Sequence, residues 1–268
     1  MFFQKSKPYI ADYFIIGIDF DGVLAQNYKA KIKYAKELFN LNLKLGQTKK
    51  EGFEKLISSL GKDLSYAEFT KAVVKRTLEY ELPLNCKEVL FKLFKENFRF
   101  TVITSRTDEE YPYAEAFIKQ NYGNLISNMH NVSFSDSKNK KKIGLREKFY
   151  FVKKLRPRIY IDDDLYKLKA LENLPVELFY CRQPENLDKN LNIFDKRRIN
   201  EFNDWVELYT KVIQIKRLHE AVCWKYKLKN TFSNLIEIFN QVHGLTNRQK
   251  ENLLIDYDKV FSSYMSAA

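Results

Sequence analysis

The sequence predicts an α/β protein: a parallel sheet with helices on both faces, a helical insert near its start and a helical hairpin at its end. Three observations predict it. Apolar, strand-like runs at residues 14–18, 98–103, 158–161 and 176–180 alternate with stretches of helical periodicity. A long stretch of purely helical pattern, residues 25–83, separates the first run from the helix before the second. Everything beyond Lys216 is helical in pattern.

The first run, Phe14-Ile15-Ile16-Gly17-Ile18, ends in Asp19-Phe20-Asp21-Gly22-Val23. Strand geometry turns residues i and i+2 to the same face. Gly22 lets the backbone bend directly after them. Two carboxylates then converge just past the C-terminal edge of a sheet, where open α/β folds bind ligands. The plain alternative is a solvated Asp-Gly turn after a core strand.

In the insert, residues 28–40 form an amphipathic helix with Ile32, Ala35, Leu38 and Phe39 on one side. Residues 50–60 form a second, with Phe53, Leu56, Ile57 and Leu60, and a third starts at the capping box Ser65-x-x-Glu68. Leu82-Pro83 closes the block, and residues 86–96 are a helix feeding the second strand, which ends in Thr104-Ser105-Arg106. A helix over 109–122 and a short strand at 131–134 follow. Lys148 opens a helix that runs over 149–155. The strand at 158–161 ends in Asp162-Asp163-Asp164. A helix over 165–174, a strand at 176–180 and a helix over 200–215 complete this domain, which takes in residues 1–212.

Residues 213–268 are a helical extension. Leu218, Val222, Leu228, Phe232, Leu235, Ile236 and Phe239 fit one helix stopped by Gly244. Thr246-x-x-Gln249 opens the next, with Leu253, Leu254, Tyr257, Val260 and Phe261 on its apolar side.

The chain has 268 residues, enough to bury one large core or two small ones. No run of 18 apolar residues exists, so no transmembrane helix is expected. The opening Met1-Phe2-Phe3-Gln4-Lys5 lacks the pattern of a signal peptide. Cys86, Cys181 and Cys223 are too widely spaced for a disulfide framework or a zinc site, and His130, His219 and His243 have no ligand spacing. A reducing, cytoplasmic setting is expected. The net charge is +12, and between Lys138 and Arg158 ten Lys or Arg face one acid, Glu147. That stretch either focuses an anionic substrate toward the site or is a solvated loop. Nucleic acid is not an expected partner, because no binding motif accompanies the charge.

Taken in order, Asp19-x-Asp21, Thr104 after the second strand, Lys148, and Asp162-Asp163 after the strand at 158–161 resemble the four motifs of the haloacid dehalogenase-like (HAD) phosphohydrolase superfamily. The resemblance covers roughly residues 12–212. It implies a Rossmann-like core and makes the insert at about 25–83 a C1-type cap, a helical lid over the active site. A subdomain that packs aside is the alternative. An acid at the second position, Asp21, is what the phosphatases of the family have and the dehalogenase branch lacks.

The chemistry agrees. A phosphomonoester hydrolase must neutralise the phosphoryl group, place a nucleophile in line and protonate the leaving oxygen. Asp19 is placed as the nucleophile that forms an aspartyl-phosphate. Asp21 is placed as general acid and base. Asp19, the backbone carbonyl of Asp21, Asp163 and Asp162 offer hard oxygen ligands suited to Mg²⁺. The resemblance makes Asp163 the direct ligand and Asp162 its neighbour; Asp164 has no assigned role. Thr104 would hydrogen-bond a phosphoryl oxygen. The family's lysine is Lys148, 14 residues before Asp162, with Lys142 and Lys141 as alternatives. Arg106 either touches substrate or pairs with an acid on the surface.

Substrate identity stays open between a small phosphorylated metabolite and a phosphotyrosine protein. The Lys/Asn/Phe/Tyr-rich composition and the appended helices also resemble HAD-type tyrosine phosphatases that intracellular bacteria secrete into host cells as effectors. The basic tail would then dock on a partner or on a membrane surface. A non-catalytic binding protein on the same scaffold is the reading from a different class.

Overall fold

The computed structural model describes residues 14–132, 140–184, 199–229 and 232–265. They belong to two compact units, Ile15–Val206 and a second formed by Met1–Phe14 with Glu207–Ala268. The first is built on a six-stranded sheet: β1 (Phe14–Ile18), β2 (Phe98–Thr104), β3 (Ile126–Asn131), β4 (Ile159–Asp162), β5 (Glu177–Cys181) and β6 (Ile199–Phe202), in the order β3-β2-β1-β4-β5-β6. The pairs β2–β3, β1–β4, β4–β5 and β5–β6 are parallel. Its helices are α1 (Asn27–Phe39), α2 (Lys50–Ser59), α3 (Tyr66–Val74), α4 (Cys86–Lys95), α5 (Tyr111–Asn121), α6 (Lys140–Leu155) and α7 (Leu165–Ala170). The α/β class with a parallel sheet and a helical insert is therefore what the chain adopts.

The chain leaves β1 toward β2 on one side and returns to β4 on the other. The order thus reverses between β1 and β4, and a crevice opens at such a point past the strand ends. Register brings the two ends level: Ile18 lies opposite Ile161, and the Asp19 amide donates to the Ile161 carbonyl at 2.8 Å. Apolar residues of β4 and β5, among them Tyr160 and Leu178, pack with Ile103, Val152 and Leu168 into one buried cluster.

Helices α1, α2 and α3 are the insert. Phe53 and Phe69 are both fully buried and stack at 4.6 Å between ring centres. The capping box at Ser65 forms as predicted: the Glu68 amide donates to Ser65 Oγ at 3.2 Å, and the Ser65 amide donates to Glu68 Oε2 at 3.0 Å. Where the chain enters and leaves the insert, the Gln26 amide donates to the Glu81 carbonyl at 2.9 Å, so the two crossings are tied together.

Several boundaries differ from the sequence reading. Lys148 lies in the third turn of α6 rather than at a helix start, because the lysine-rich stretch before it is itself helical; lysine is a good helix former. Predicted loop residues 140–142 are thus helix backbone; the side chains of Lys141 and Lys142 lie outside the described residues. The edge strand β3 is Ile126–Asn131, earlier than the predicted 131–134, whose last two residues lie outside the described residues. Its polar Ser127, Asn128 and His130 give no apolar signal. The predicted helix over 200–215 begins as β6, where Ile199 and Phe202, three apart, mimic helical spacing on an edge strand. The helix after Asp164 stops at Ala170.

The second unit holds most of α8 (Trp205–Tyr226), α9 (Leu235–Gly244) and α10 (Asn247–Met265). Leu218, Val222, Ile238, Val242 and Leu253 form its buried cluster. α9 and α10 make the terminal hairpin, and the Gln249 amide donates to Thr246 Oγ1 at 3.3 Å as the capping box predicts. The single helix predicted from Leu218 to Gly244 breaks after Tyr226. Lys227 adopts a left-handed conformation (φ 54°) and the Leu228 amide closes on the Cys223 carbonyl at 3.0 Å. This is a helix stop that glycine usually marks; a lysine there hides it.

Candidate active site

The site is assembled from the ends of β1, β2 and β4, from α6 and α7, and from the insert. Asp19 follows β1 and is 3% exposed. Its Oδ1 lies 3.0 Å from Lys148 Nζ, and the same ammonium lies 2.7 Å from Asp162 Oδ2. Lys148 is itself 2% exposed, reaching from the middle of α6 to join the two strand ends. The Tyr160 hydroxyl donates to Asp162 Oδ2 at 3.2 Å and the Asp164 amide to Asp162 Oδ1 at 2.9 Å. Both oxygens of Asp162 are thereby fixed.

Lys167, in the first turn of α7, lies 3.4 Å from Asp19 Oδ2. Lys49, from the insert, lies 3.5 Å from Asp163 Oδ2. Neither lysine stands out in the sequence, although Lys167 follows the acidic run closely enough, on a helix opening at the site, to have been a candidate. Asp164 acts locally, since its Oδ1 accepts from the Tyr166 amide at 2.9 Å and caps α7.

Gly22 shows why the Asp-x-Asp-Gly pattern needs its glycine. It sits at φ 82°, and a Cβ there would lie 2.5 Å from Asp163 Oδ2. The turn after β1 therefore packs directly against the acids after β4.

One carboxylate oxygen from each of Asp19, Asp162 and Asp163 falls within 4.8 Å of the other two. Burial, and then the charge of Asp162, push the Asp19 pKa up, against the opposing pull of Lys148 and Lys167. Burial lifts Asp163 to about 7, with Lys49 opposing and Asp162 adding to the rise. Burial works against the charge on Lys148, but Asp162 and Asp19 outweigh it and hold its pKa above the usual value. Hard carboxylate oxygens gathered this closely, two of them on acids whose pKa burial raises, Asp19 and Asp163, are the donor set a small divalent cation fits. Asp19 and Asp163 would hold it, with Asp162, whose oxygens already take Lys148, Tyr160 and the Asp164 amide, beside them.

Asp21 faces the other way. Arg106 Nε donates to its Oδ2 and Nη2 to its Oδ1, both at 2.8 Å, and Asn27 Nδ2 donates to Oδ1 at 3.3 Å. Burial alone would raise the Asp21 pKa; the Arg106 charge and hydrogen bonds outweigh it and leave it below the usual carboxylate value. The surface pairing expected for Arg106 is corrected in one respect: Arg106 does pair with an acid, but it is 4% exposed. Thr104 is buried and its Oγ1 accepts from the Arg106 amide at 3.3 Å.

A cavity of ≈ 260 Å³ opens over these groups. Asp19, Asp21, Thr104, Arg106 and Lys167 line it from the sheet side; Asn27, Lys31, Thr70, Val73, Val74 and Tyr80 line it from the insert and its return. The insert thus faces the acids. Of the four motif residues named from the sequence, Asp19, Asp21 and Thr104 line the cavity, and Lys148, Asp162 and Asp163 gather behind it around Asp19.

No family model matches the chain. An uncharacterized protein, ORF195, of Acidianus filamentous virus 1 (isolate United States/Yellowstone) is 26% identical over 199 residues, covering 72% of this chain and 90% of the viral one. The HAD-hydrolase YfnB of Bacillus subtilis, in a structure bound to magnesium, superposes with a TM-score of 0.52 at 14% identity, covering 75% of this chain and 99% of YfnB. A predicted phosphoglycolate phosphatase of Haemophilus somnus gives 0.49 at 16% identity, covering 76% and 99%. The chain has a haloacid dehalogenase-like fold. Among the described residues no helix is long and apolar enough to cross a membrane.

Proposed function

We propose that this protein is a Mg²⁺-dependent phosphomonoester hydrolase working through an aspartyl-phosphate on Asp19. The observation that carries this reading is the convergence of Asp19, Lys148 and Asp162 within 3.0 Å contacts, with Asp19 and a second acid, Asp21, lining one cavity. Bound Mg²⁺ supplies charge neutralisation for the phosphoryl oxygens. Lys148 holds Asp19 and Asp162 in place and adds positive charge. The Asp19 carboxylate attacks phosphorus, Thr104 Oγ1 donates to a phosphoryl oxygen, and Asp21 gives a proton to the departing oxygen. Asp21 then takes a proton from the water that hydrolyses the aspartyl-phosphate.

The cavity also favours one substrate class. A space of ≈ 260 Å³ with a wall of insert residues suits a small phosphorylated metabolite better than a phosphotyrosine carried on another protein. The test is turnover of p-nitrophenyl phosphate. Activity should require Mg²⁺, disappear in EDTA and return with added Mg²⁺. Full activity in EDTA overturns the metal assignment, and no activity under any divalent cation favours the binding-protein reading.

A further inference from the structure

Arg106 is a buried cation that none of the four motifs explains. Its side chain is 3% exposed. It spends Nε and Nη2 on the two oxygens of Asp21 and Nη1 on Thr77 Oγ1, each at 2.8 Å. Its guanidinium lies 4.6 Å from the ring centre of Phe20 and 5.8 Å from that of Tyr80. Thr77 is fully buried, and its hydroxyl is held in turn by the Val74 carbonyl at 2.5 Å. The guanidinium is therefore fixed on every side before it meets Asp21.

A carboxylate on a short side chain rotates about its last bond unless something holds its plane. Two parallel bonds from a guanidinium hold that plane, which a lysine ammonium cannot do. Asn27 adds a third donor from α1. The arrangement ties the plane of Asp21 to the loop after β2 and to Thr77, in the turn by which the chain returns from the insert.

We propose that Arg106 is the positioning residue for Asp21 in the hydrolysis of the phosphorylated enzyme, an inference that rests on the phosphatase reading above. In that step the water oxygen bonds to phosphorus as the bond from phosphorus to the Asp19 oxygen breaks. One water proton passes to Asp21, inorganic phosphate leaves, and Asp19 is again a carboxylate. Asp21 returns its proton to the leaving oxygen of the next substrate. A proton acceptor that has lost its fixed plane is no longer aimed at that water. The attack of Asp19 on an aryl phosphate needs no such help, because the leaving group departs unprotonated.

The experiment follows both steps in the full-length protein, with p-nitrophenyl phosphate and Mg²⁺, by rapid quench and intact mass. Arg106→Ala and Arg106→Lys should release the first equivalent of nitrophenol within a few-fold of the wild-type rate, then accumulate protein carrying one phosphoryl group. Loss of positioned acid–base help should slow its hydrolysis on the order of 10²-fold. Added guanidinium ion should speed hydrolysis in Arg106→Ala. The Asp21→Asn/Arg106→Ala pair should be no slower than Asp21→Asn alone, since both changes disable one device. Thr77→Val should show a smaller effect at the same step. Arg106→Lys keeps the buried charge, so it carries the test if Arg106→Ala does not fold. Equal slowing of both steps, or additive losses in the double variant, overturns the proposal while leaving the phosphatase reading intact. A wild-type protein that releases no nitrophenol overturns both.

Discussion

Asp19 and Asp21 leave the same strand end two residues apart and enter opposite environments. On the β4 side, Asp19 shares a buried wall with Asp162, Asp163, Lys148 and Lys167, and burial among like charges pushes its pKa up. On the β2 side, Asp21 meets a single guanidinium in a two-pronged grip, and its pKa is pulled down. Two carboxylates whose surroundings drive their pKa values apart are how one site divides two jobs. A bound cation would offset the rise at Asp19 and keep the nucleophile ionised, while the Arg106 grip holds Asp21 as a carboxylate fixed in orientation toward the attacking water.

The sharpest way to break this division is to remove each acid in turn. Asp19→Asn should abolish turnover, with no phosphorylated protein by mass. Asp21→Asn should still be phosphorylated by an aryl phosphate and should turn over roughly 10² to 10⁴ times more slowly. Near-normal turnover in Asp19→Asn would falsify the nucleophile assignment and the division with it.

Lys148→Met attacks only the β4 wall. It strips a buried ammonium from two buried carboxylates, and breaking such a pair by deleting one partner typically costs about 3–5 kcal/mol. Urea denaturation should show a loss of that order, and the phosphorylation step should fall more than the hydrolysis step. Arg106→Lys, by contrast, should spare phosphorylation. If both changes act on the same step, the two walls are not separate devices.

How much of this is legible in the sequence follows the physics of each signal. Asp19, Asp21, Thr104, Lys148 and the Asp162-Asp163 pair can be picked out because each sits at a fixed offset from an apolar strand or a helix, and buried strands write a clear hydrophobic record. Edge strands β3 and β6 are misplaced because one side of each lacks a sheet neighbour and tolerates polar residues. The stop at Lys227 is invisible because its backbone conformation is set by tertiary packing rather than by glycine. Arg106 is noticeable but cannot be placed: nothing local tells an arginine in a loop that a carboxylate 85 positions earlier will be its buried partner. Lys49 and Lys167 depend likewise on long-range contacts, among many lysines of similar appearance.

Gly22→Ala sharpens the comparison from the backbone. The added Cβ would sit 2.5 Å from Asp163 Oδ2, at a φ of 82° that costs an L-residue roughly 1–2 kcal/mol. Asp163 must give way, while the Arg106 grip on Asp21 is untouched. Calorimetry should find Mg²⁺ binding weakened about tenfold, ~1.4 kcal/mol. Phosphorylated Gly22→Ala protein, at saturating Mg²⁺, should still lose its phosphoryl group at close to the wild-type rate. Unchanged Mg²⁺ affinity would mean that Asp163 is not among the ligands.

The smallest expected effect comes from Asp164, which belongs to the β4 wall only through a helix cap. Its side chain accepts from the Tyr166 amide and starts α7, a six-residue helix that carries Lys167 toward Asp19. So short a helix has little stability of its own and leans on its cap. Asp164→Ala removes the cap at a cost of about 1 kcal/mol. Asp164→Asn removes the same charge but keeps a capping side chain, so the difference between the two variants isolates the cap. Asp164→Ala should loosen Lys167 and slow phosphorylation of Asp19 by a few-fold, while Asp164→Asn stays close to wild type. Hydrolysis of the phosphorylated protein, which depends on Asp21 and its arginine, should be the same in both. The check is the pair of single-turnover rates in each variant. Equal slowing in Ala and Asn would assign the effect to the lost charge beside Asp163, and slowing of hydrolysis would show that the two walls communicate through α7.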